Sequence, residues 1–111
     1  MVSKAETEKL IKQVCDRIDS IGVEKLAGKL MQFEFPDLGT GWLIKIASDG
    51  TVESCQEMID KKLAYTTTIM DSDTFEKIIT RTATPFDLFA AGKIKVEGTQ
   101  EALLLFLPIL G

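Results

Sequence analysis

After Ser3-Lys4-Ala5-Glu6, apolar residues recur at helical spacing: Ile11, Val14, Ile18 and Ile21, flanked by Leu10 and Cys15. Lys9, Lys12, Asp16 and Asp19 fill the other side, so the spacing predicts an amphipathic helix ending near Gly22. Ser3-x-x-Glu6 reads as its capping box, and Val23 to Lys29 as a further turn. The period then becomes two. Met31, Phe33 and Phe35 alternate with Gln32 and Glu34, the signature of a half-buried strand. Pro36-Asp37-Leu38-Gly39 is a turn. Trp42, Ile44 and Ile46 alternate with Leu43 and Lys45 in a second strand, and Asp49-Gly50 signals a two-residue hairpin. Thr51 to Met58 reads as a third strand, with Val52 and Met58 on one face and Glu53, Cys55 and Glu57 on the other. Tyr65 to Met70, rich in β-branched residues, reads as a fourth.

Helical signals return after Met70. Asp73 is placed to cap a helix with Glu76 at its N3 position, and Phe75, Ile78 and Ile79 form its apolar stripe. Thr84-Pro85 is an N-cap followed by proline, with Asp87 in the first turn. Phe86, Phe89 and Ala90 read as the inner face of that short helix, which Gly92 ends. Lys93 to Glu97 is a fifth strand with Ile94 and Val96 inward, broken by Gly98. Thr99 caps a final helix.

Strands followed by helices give an α+β fold: a five-stranded, mostly antiparallel sheet covered by helices on one face. The 111 residues form a single domain over 1–111, with no internal repeat, low-complexity tract or linker. The final helix changes the picture. Ala102-Leu103-Leu104-Leu105-Phe106-Leu107-Pro108-Ile109-Leu110 has no polar face, yet it falls short of the roughly 20 apolar residues that span a bilayer. The rest of the domain, a second copy of the chain, a membrane surface or an apolar ligand must cover it.

Net charge is −4, with no Lys/Arg cluster, which argues against a nucleic-acid partner. Cys15 and Cys55 form no Cys-x-x-Cys pair and read as free thiols in a reducing compartment. No apolar leader follows Met1, so a cytoplasmic protein is expected. The chain contains no histidine, which removes the commonest general base and most zinc sites. No enzyme activity, cofactor or metal is expected.

Ala64-Tyr65-Thr66-Thr67-Thr68-Ile69-Met70-Asp71-Ser72-Asp73-Thr74-Phe75 resembles the strand-to-helix segment of the sterol carrier protein 2 (non-specific lipid-transfer) domain family. Pro85 through Gly98, Pro-x-x-x-Phe-x-x-Gly-Lys-Ile-Lys-Val-x-Gly, is similar to that family's short helix, Gly turn and return strand. The Trp42 strand and the Asp49-Gly50 hairpin match in position. The resemblance covers about Phe33 to Leu110. It implies a sterol-carrier-like fold enclosing an apolar tunnel for fatty acid, fatty acyl-CoA, phospholipid or sterol-like ligands, with the terminal helix in its wall. Tyr65 stands where the family often has Asp. The peroxisomal signal of the animal members is absent, so neither sterol nor peroxisome is carried over.

The expected ligand-binding set is Phe33, Phe35, Trp42, Ile44, Met70, Phe75, Ile78, Phe86, Phe89, Leu103, Phe106 and Leu107. Each is equally an ordinary core residue by pattern alone. Asp71, Asp73 and Glu76 read as helix-capping carboxylates rather than a metal site. Lys93 and Lys95 alternate outward, facing solvent or a lipid headgroup. Cys55 shares its expected face with Glu53 and Glu57, which would raise its thiol pKa. The rival to a lipid carrier is a non-catalytic interaction or dimerisation module. Such a module would serve a lipid- or quinone-handling enzyme through the C-terminal helix. Membrane contact is expected to be transient at most.

Overall fold

The computed structural model describes residues 2–98. The final helix expected over Ala102–Leu110, with its Thr99 cap, lies outside them. The first helix, α1, spans Lys4–Ile21. Ser3 Oγ accepts from the Glu6 N–H at 3.1 Å. At the other end Gly22 takes the left-handed conformation (φ 68°), and its N–H donates to Ile18 O. The further turn is a single 3-10 turn, Glu24–Leu26.

Five strands follow: β1 (Leu30–Phe35), β2 (Thr40–Ile46), β3 (Val52–Glu57), β4 (Thr66–Ile69) and β5 (Lys95–Gly98). Between β4 and β5 lie α2 (Ser72–Ile79) and α3 (Pro85–Ala90). The sheet order is β3-β2-β1-β4-β5. Its β1–β2, β2–β3 and β4–β5 pairs are antiparallel and β1–β4 is parallel, so the sheet is mixed. The fold is α+β, as the order of periods in the sequence implies.

The Asp49-Gly50 hairpin forms, but with a longer loop than two residues. The Gly50 N–H closes onto Ala47 O and the Ala47 N–H onto Thr51 O, with Gly50 at φ 85°.

Met31, Phe33 and Phe35 pair across the ladder with Ile44, Trp42 and Thr40. The apolar members of these pairs point to one face and are buried. Leu10, Ile11, Val14 and Ile18 of α1 and Phe75, Ile78 and Ile79 of α2 complete the same core. Burying one such side chain contributes roughly 1.5–3 kcal/mol. Arg17 ties the two helices together by donating to Ile79 O at 3.0 Å, where a helix C-terminus favours positive charge.

The opposite face of the sheet is not bare. The segment 58–61 crosses it between β3 and β4. Gln32, fully buried there, donates from Nε2 to Phe33 O, Trp42 O and Met58 O, and its Oε1 accepts the Asp60 N–H. Lys61 adds an ion pair to Glu34 at 2.9 Å. This crossing carries the chain from the β3 edge to the far side of β1, which a parallel β1–β4 pair requires.

Two expectations about the helices after β4 change. Asp73 does not cap α2; Asp71 is the N-cap residue and makes no side-chain capping bond. Asp73 instead accepts the Val2 N–H at 3.0 Å. The capping carboxylate comes from Asp37 in the turn after β1, which accepts the Ser72 N–H at 3.1 and 3.2 Å and the Ser72 hydroxyl. In α3 the Thr84 cap holds, accepting the Asp87 N–H at 3.2 Å. Its inner face is different: Pro85 is buried and Leu88 packs on the core, whereas Phe86, Phe89 and Ala90 are exposed. With only six residues, α3 turns one narrow edge to the core.

Candidate functional site

Seven of the expected ligand-binding residues meet in one cluster: Phe33, Phe35, Trp42, Ile44, Met70, Phe75 and Ile78. β1 and β2 place the first four by strand alternation, and α2 lays Phe75 and Ile78 over them. Phe35 is the hub. Its ring centroid lies 5.7 Å from Trp42, edge-on, and 5.1 Å from Phe75, which is itself 5.8 Å from Phe33. These edge-to-face and tilted contacts suit the ring quadrupoles. All seven are buried, with no more than 3% of any residue exposed.

Phe86 and Phe89 do not join this cluster. They stand on α3 with 71% and 40% of their surface exposed, an apolar area the described fold leaves uncovered. Leu103, Phe106 and Leu107 lie outside the described residues.

The inner face has a polar member that the hydrophobic pattern conceals. Thr68 pairs with Phe33 on one side and Val96 on the other. It is buried, and its Oγ1 has no hydrogen-bond partner. A β-branched threonine reads as a strand former, so its hydroxyl draws no notice in sequence. Tyr65 packs against the core with the Lys29 ammonium 3.8 Å from its ring centroid.

The expected charged candidates resolve differently. Lys93 and Lys95 are exposed, and Lys95 lies 3.7 Å from Glu97. Asp71, Asp73 and Glu76 do not converge on a site. Among the described residues no group of three or more His, Cys, Asp or Glu side chains is arranged to hold a metal ion.

The face expected for Cys55 is reversed. The β2–β3 register slips between Lys45 and Ile46, so that Ile46 opposes Val52 but Ile44 opposes Cys55. Glu53 is the extra residue of this bulge. Cys55 therefore shares the helix-covered face with Val52. The two carboxylates expected to raise its pKa are engaged elsewhere: Glu53 with Lys45 at 2.9 Å and Glu57 with Lys4 at 3.0 Å.

Comparison with known proteins bears on the whole fold. No curated relative matches the sequence. Among solved structures, a double mutant of the sec-alkyl sulfatase PisA1 is similar at TM-score 0.75 and 17% identity, covering 98% of this chain and 16% of that one. The chain thus spans about a sixth of that larger protein. A UbiJ-SCP2 ubiquinone synthesis protein is similar at TM-score 0.69 and 16% identity, over 99% of this chain and 93% of the other. Sterol carrier protein-2 from Aedes aegypti, solved in complex with palmitate, is similar at TM-score 0.72 and 21% identity, over 100% and 97%. At these identities the likeness is one of fold. The sequence itself matches the model of the SCP-2 sterol transfer family over residues 7–110, and the chain belongs to that family.

Proposed function

We propose that the protein is a non-enzymatic carrier that binds the apolar part of a lipid within its single domain. The family match over residues 7–110 is the observation that carries this reading. The palmitate complex of the Aedes aegypti protein, which shares the fold, supports an acyl chain as the ligand class. In this chain the tail is solvated by the aromatic and aliphatic residues of the sheet and α2, by Phe86 and Phe89 on α3, and by Leu103, Phe106 and Leu107 of the terminal segment. Each buried CH₂ contributes roughly 0.8 kcal/mol, so an acyl chain of about 16 carbons has a gross driving force of roughly 13 kcal/mol. Ordering the ligand offsets much of it. One methylene more or less changes affinity by only about 1–3 kcal/mol, so a family of chain lengths is accepted.

The test is native mass spectrometry of the purified protein, followed by delipidation and titration with a fluorescent fatty acid displaced by palmitate. Co-purified lipid and saturable displacement at one site are expected. A protein that carries no lipid and takes up no probe at micromolar concentration is not a carrier.

A second reading is favoured by one comparison, in which the fold occupies about a sixth of a sulfatase chain. In that reading the domain is an accessory module for a lipid- or quinone-handling enzyme. A ligand-free dimer or heteromer that buries the apolar C-terminal segment would support it over the carrier.

A further inference from the structure

We propose that Cys15 and Cys55 form a dithiol–disulfide site that reacts with hydroperoxides, Cys55 meeting the oxidant and Cys15 closing the bond. The proposal starts from the β2–β3 bulge, which turns Cys55 toward the helical layer opposite Ile44. Cys15 lies on α1 beside the buried Val14 and packs against the same core. Cys15 stands on α1 where that helix meets β3, and the two thiols are neighbouring groups there. Their approach is fixed at both ends of the helix. Lys4 pairs with Glu57 at 3.0 Å, and the Val52 N–H donates to Asp19 Oδ1 at 2.7 Å. The helix therefore lies along the edge strand in a set register, with the cysteines between the two anchors.

The two sulfurs are not equivalent. Cys55 is exposed and Cys15 is half-buried. Interaction with Cys15 holds the Cys55 thiol below its ordinary value, helped by Lys12 and opposed by burial and Glu8. The same interaction pushes Cys15 up, together with burial, the Cys55 charge, Asp19 and Asp16. Cys55, the more exposed of the two, is the accessible nucleophile.

In the first step the Cys55 thiolate attacks the terminal oxygen of a hydroperoxide. An S–O bond forms, the O–O bond breaks, and the leaving alkoxide takes a proton from solvent to become an alcohol. Cys55 is then a sulfenic acid. In the second step the Cys15 sulfur attacks the Cys55 sulfur. The S–S bond forms, the S–O bond breaks, and hydroxide leaves with the Cys15 proton as water. Two thiols lose two electrons and one hydroperoxide gains them.

The experiment treats the reduced full-length protein with one equivalent of cumene hydroperoxide and follows intact mass, thiol content and a non-reducing peptide map. A mass loss of about 2 Da, loss of both thiols in a monomer and a Cys15–Cys55 linked peptide are expected. In Cys15→Ser the reaction stops at a Cys55 sulfenic acid that dimedone traps. In Cys55→Ser the rate of thiol loss falls at least tenfold. Circular dichroism checks that both variants are folded. The proposal is overturned if the wild type gains oxygen without the linked peptide, forms only intermolecular disulfides, or if both variants lose their remaining thiol equally fast.

Discussion

Asp37, in the turn after β1, accepts hydrogen bonds from both the backbone N–H and the hydroxyl of Ser72, the first residue of α2. The first N–H groups of a helix have no partner of their own. Here a residue 35 positions earlier in the chain supplies one, and the bond couples the β1–β2 turn to the helix that lids the core. Asp37→Ala leaves the Ser72 N–H without its acceptor, while the Ser72 hydroxyl keeps its contact with Val2 O. It is expected to destabilise the fold by about 1–3 kcal/mol, read as a lower urea midpoint at unchanged m. Asp71→Ala, at the formal N-cap, is expected to cost less, because its side chain makes no capping bond.

Gln32 gives a second test. Its amide satisfies Met58 O and the Asp60 N–H from within the sheet's outer face. Gln32→Leu keeps the volume but orphans both groups, at roughly 2–4 kcal/mol in total. Hydrogen exchange at the Asp60 amide should accelerate more than at the β1–β2 ladder.

Gly41 pairs with Glu34 across the ladder, and a Cβ there would lie 2.2 Å from Phe33 O. The obstacle is backbone, which cannot turn aside. Gly41→Ala should destabilise by at least about 2 kcal/mol, comparable to core overpacking. Gly39→Ala meets no such obstacle and carries only the strain of its left-handed φ of 66°. Thermal melts of the pair separate the two effects.

Phe75 and Phe86 divide packing from binding. Phe75→Ala opens the centre of the aromatic cluster and should cost about 3–5 kcal/mol. Phe86, largely exposed on α3, should tolerate Phe86→Asp within about 1 kcal/mol. If the carrier reading holds, Phe86→Asp weakens uptake of a fluorescent fatty acid severalfold at nearly unchanged stability. Unchanged uptake would remove α3 from the proposed binding surface.

The acid limb of stability has a local source. Glu57 is held below the ordinary glutamate range, chiefly by its bond from Lys4, with burial opposing and Thr40 assisting. Asp49 is held low by Thr51. A carboxylate whose pKa is depressed by folding contributes fully above its unfolded value, and the contribution is lost as pH falls through the folded one. Glu57→Gln should therefore flatten the pH dependence of the urea midpoint below about pH 5 and leave its slope near pH 8 unchanged.

Much of this architecture was legible in the chain. Ser3 and Gly22 mark the ends of α1, and the alternation around Phe33 and Trp42 fixes which side of β1 and β2 is buried. What escaped has a common cause: it depends on partners distant in sequence. Nothing near Asp37 announces that it caps α2. The slip at Ile46 that reverses Cys55 exists only in the pairing of two strands. Seven of the proposed binding residues, on β1, β2 and α2 and at Met70 just after β4, could be placed in the core from the sequence because burial follows periodicity. Phe86 and Phe89 were misplaced because a helix of six residues has too few turns to define an apolar face.

The parallel seam between β1 and β4 also has a kinetic meaning. β1, β2 and β3 join through neighbours in sequence, so their ladders close short loops. The Met31–Thr66 pair must close a much longer one before any contact rewards it. Joining the β1–β2–β3 meander to β4–β5 is therefore the expected late event in folding. Substitutions along that seam should chiefly speed unfolding, while those in the Ala47–Thr51 hairpin should chiefly slow folding.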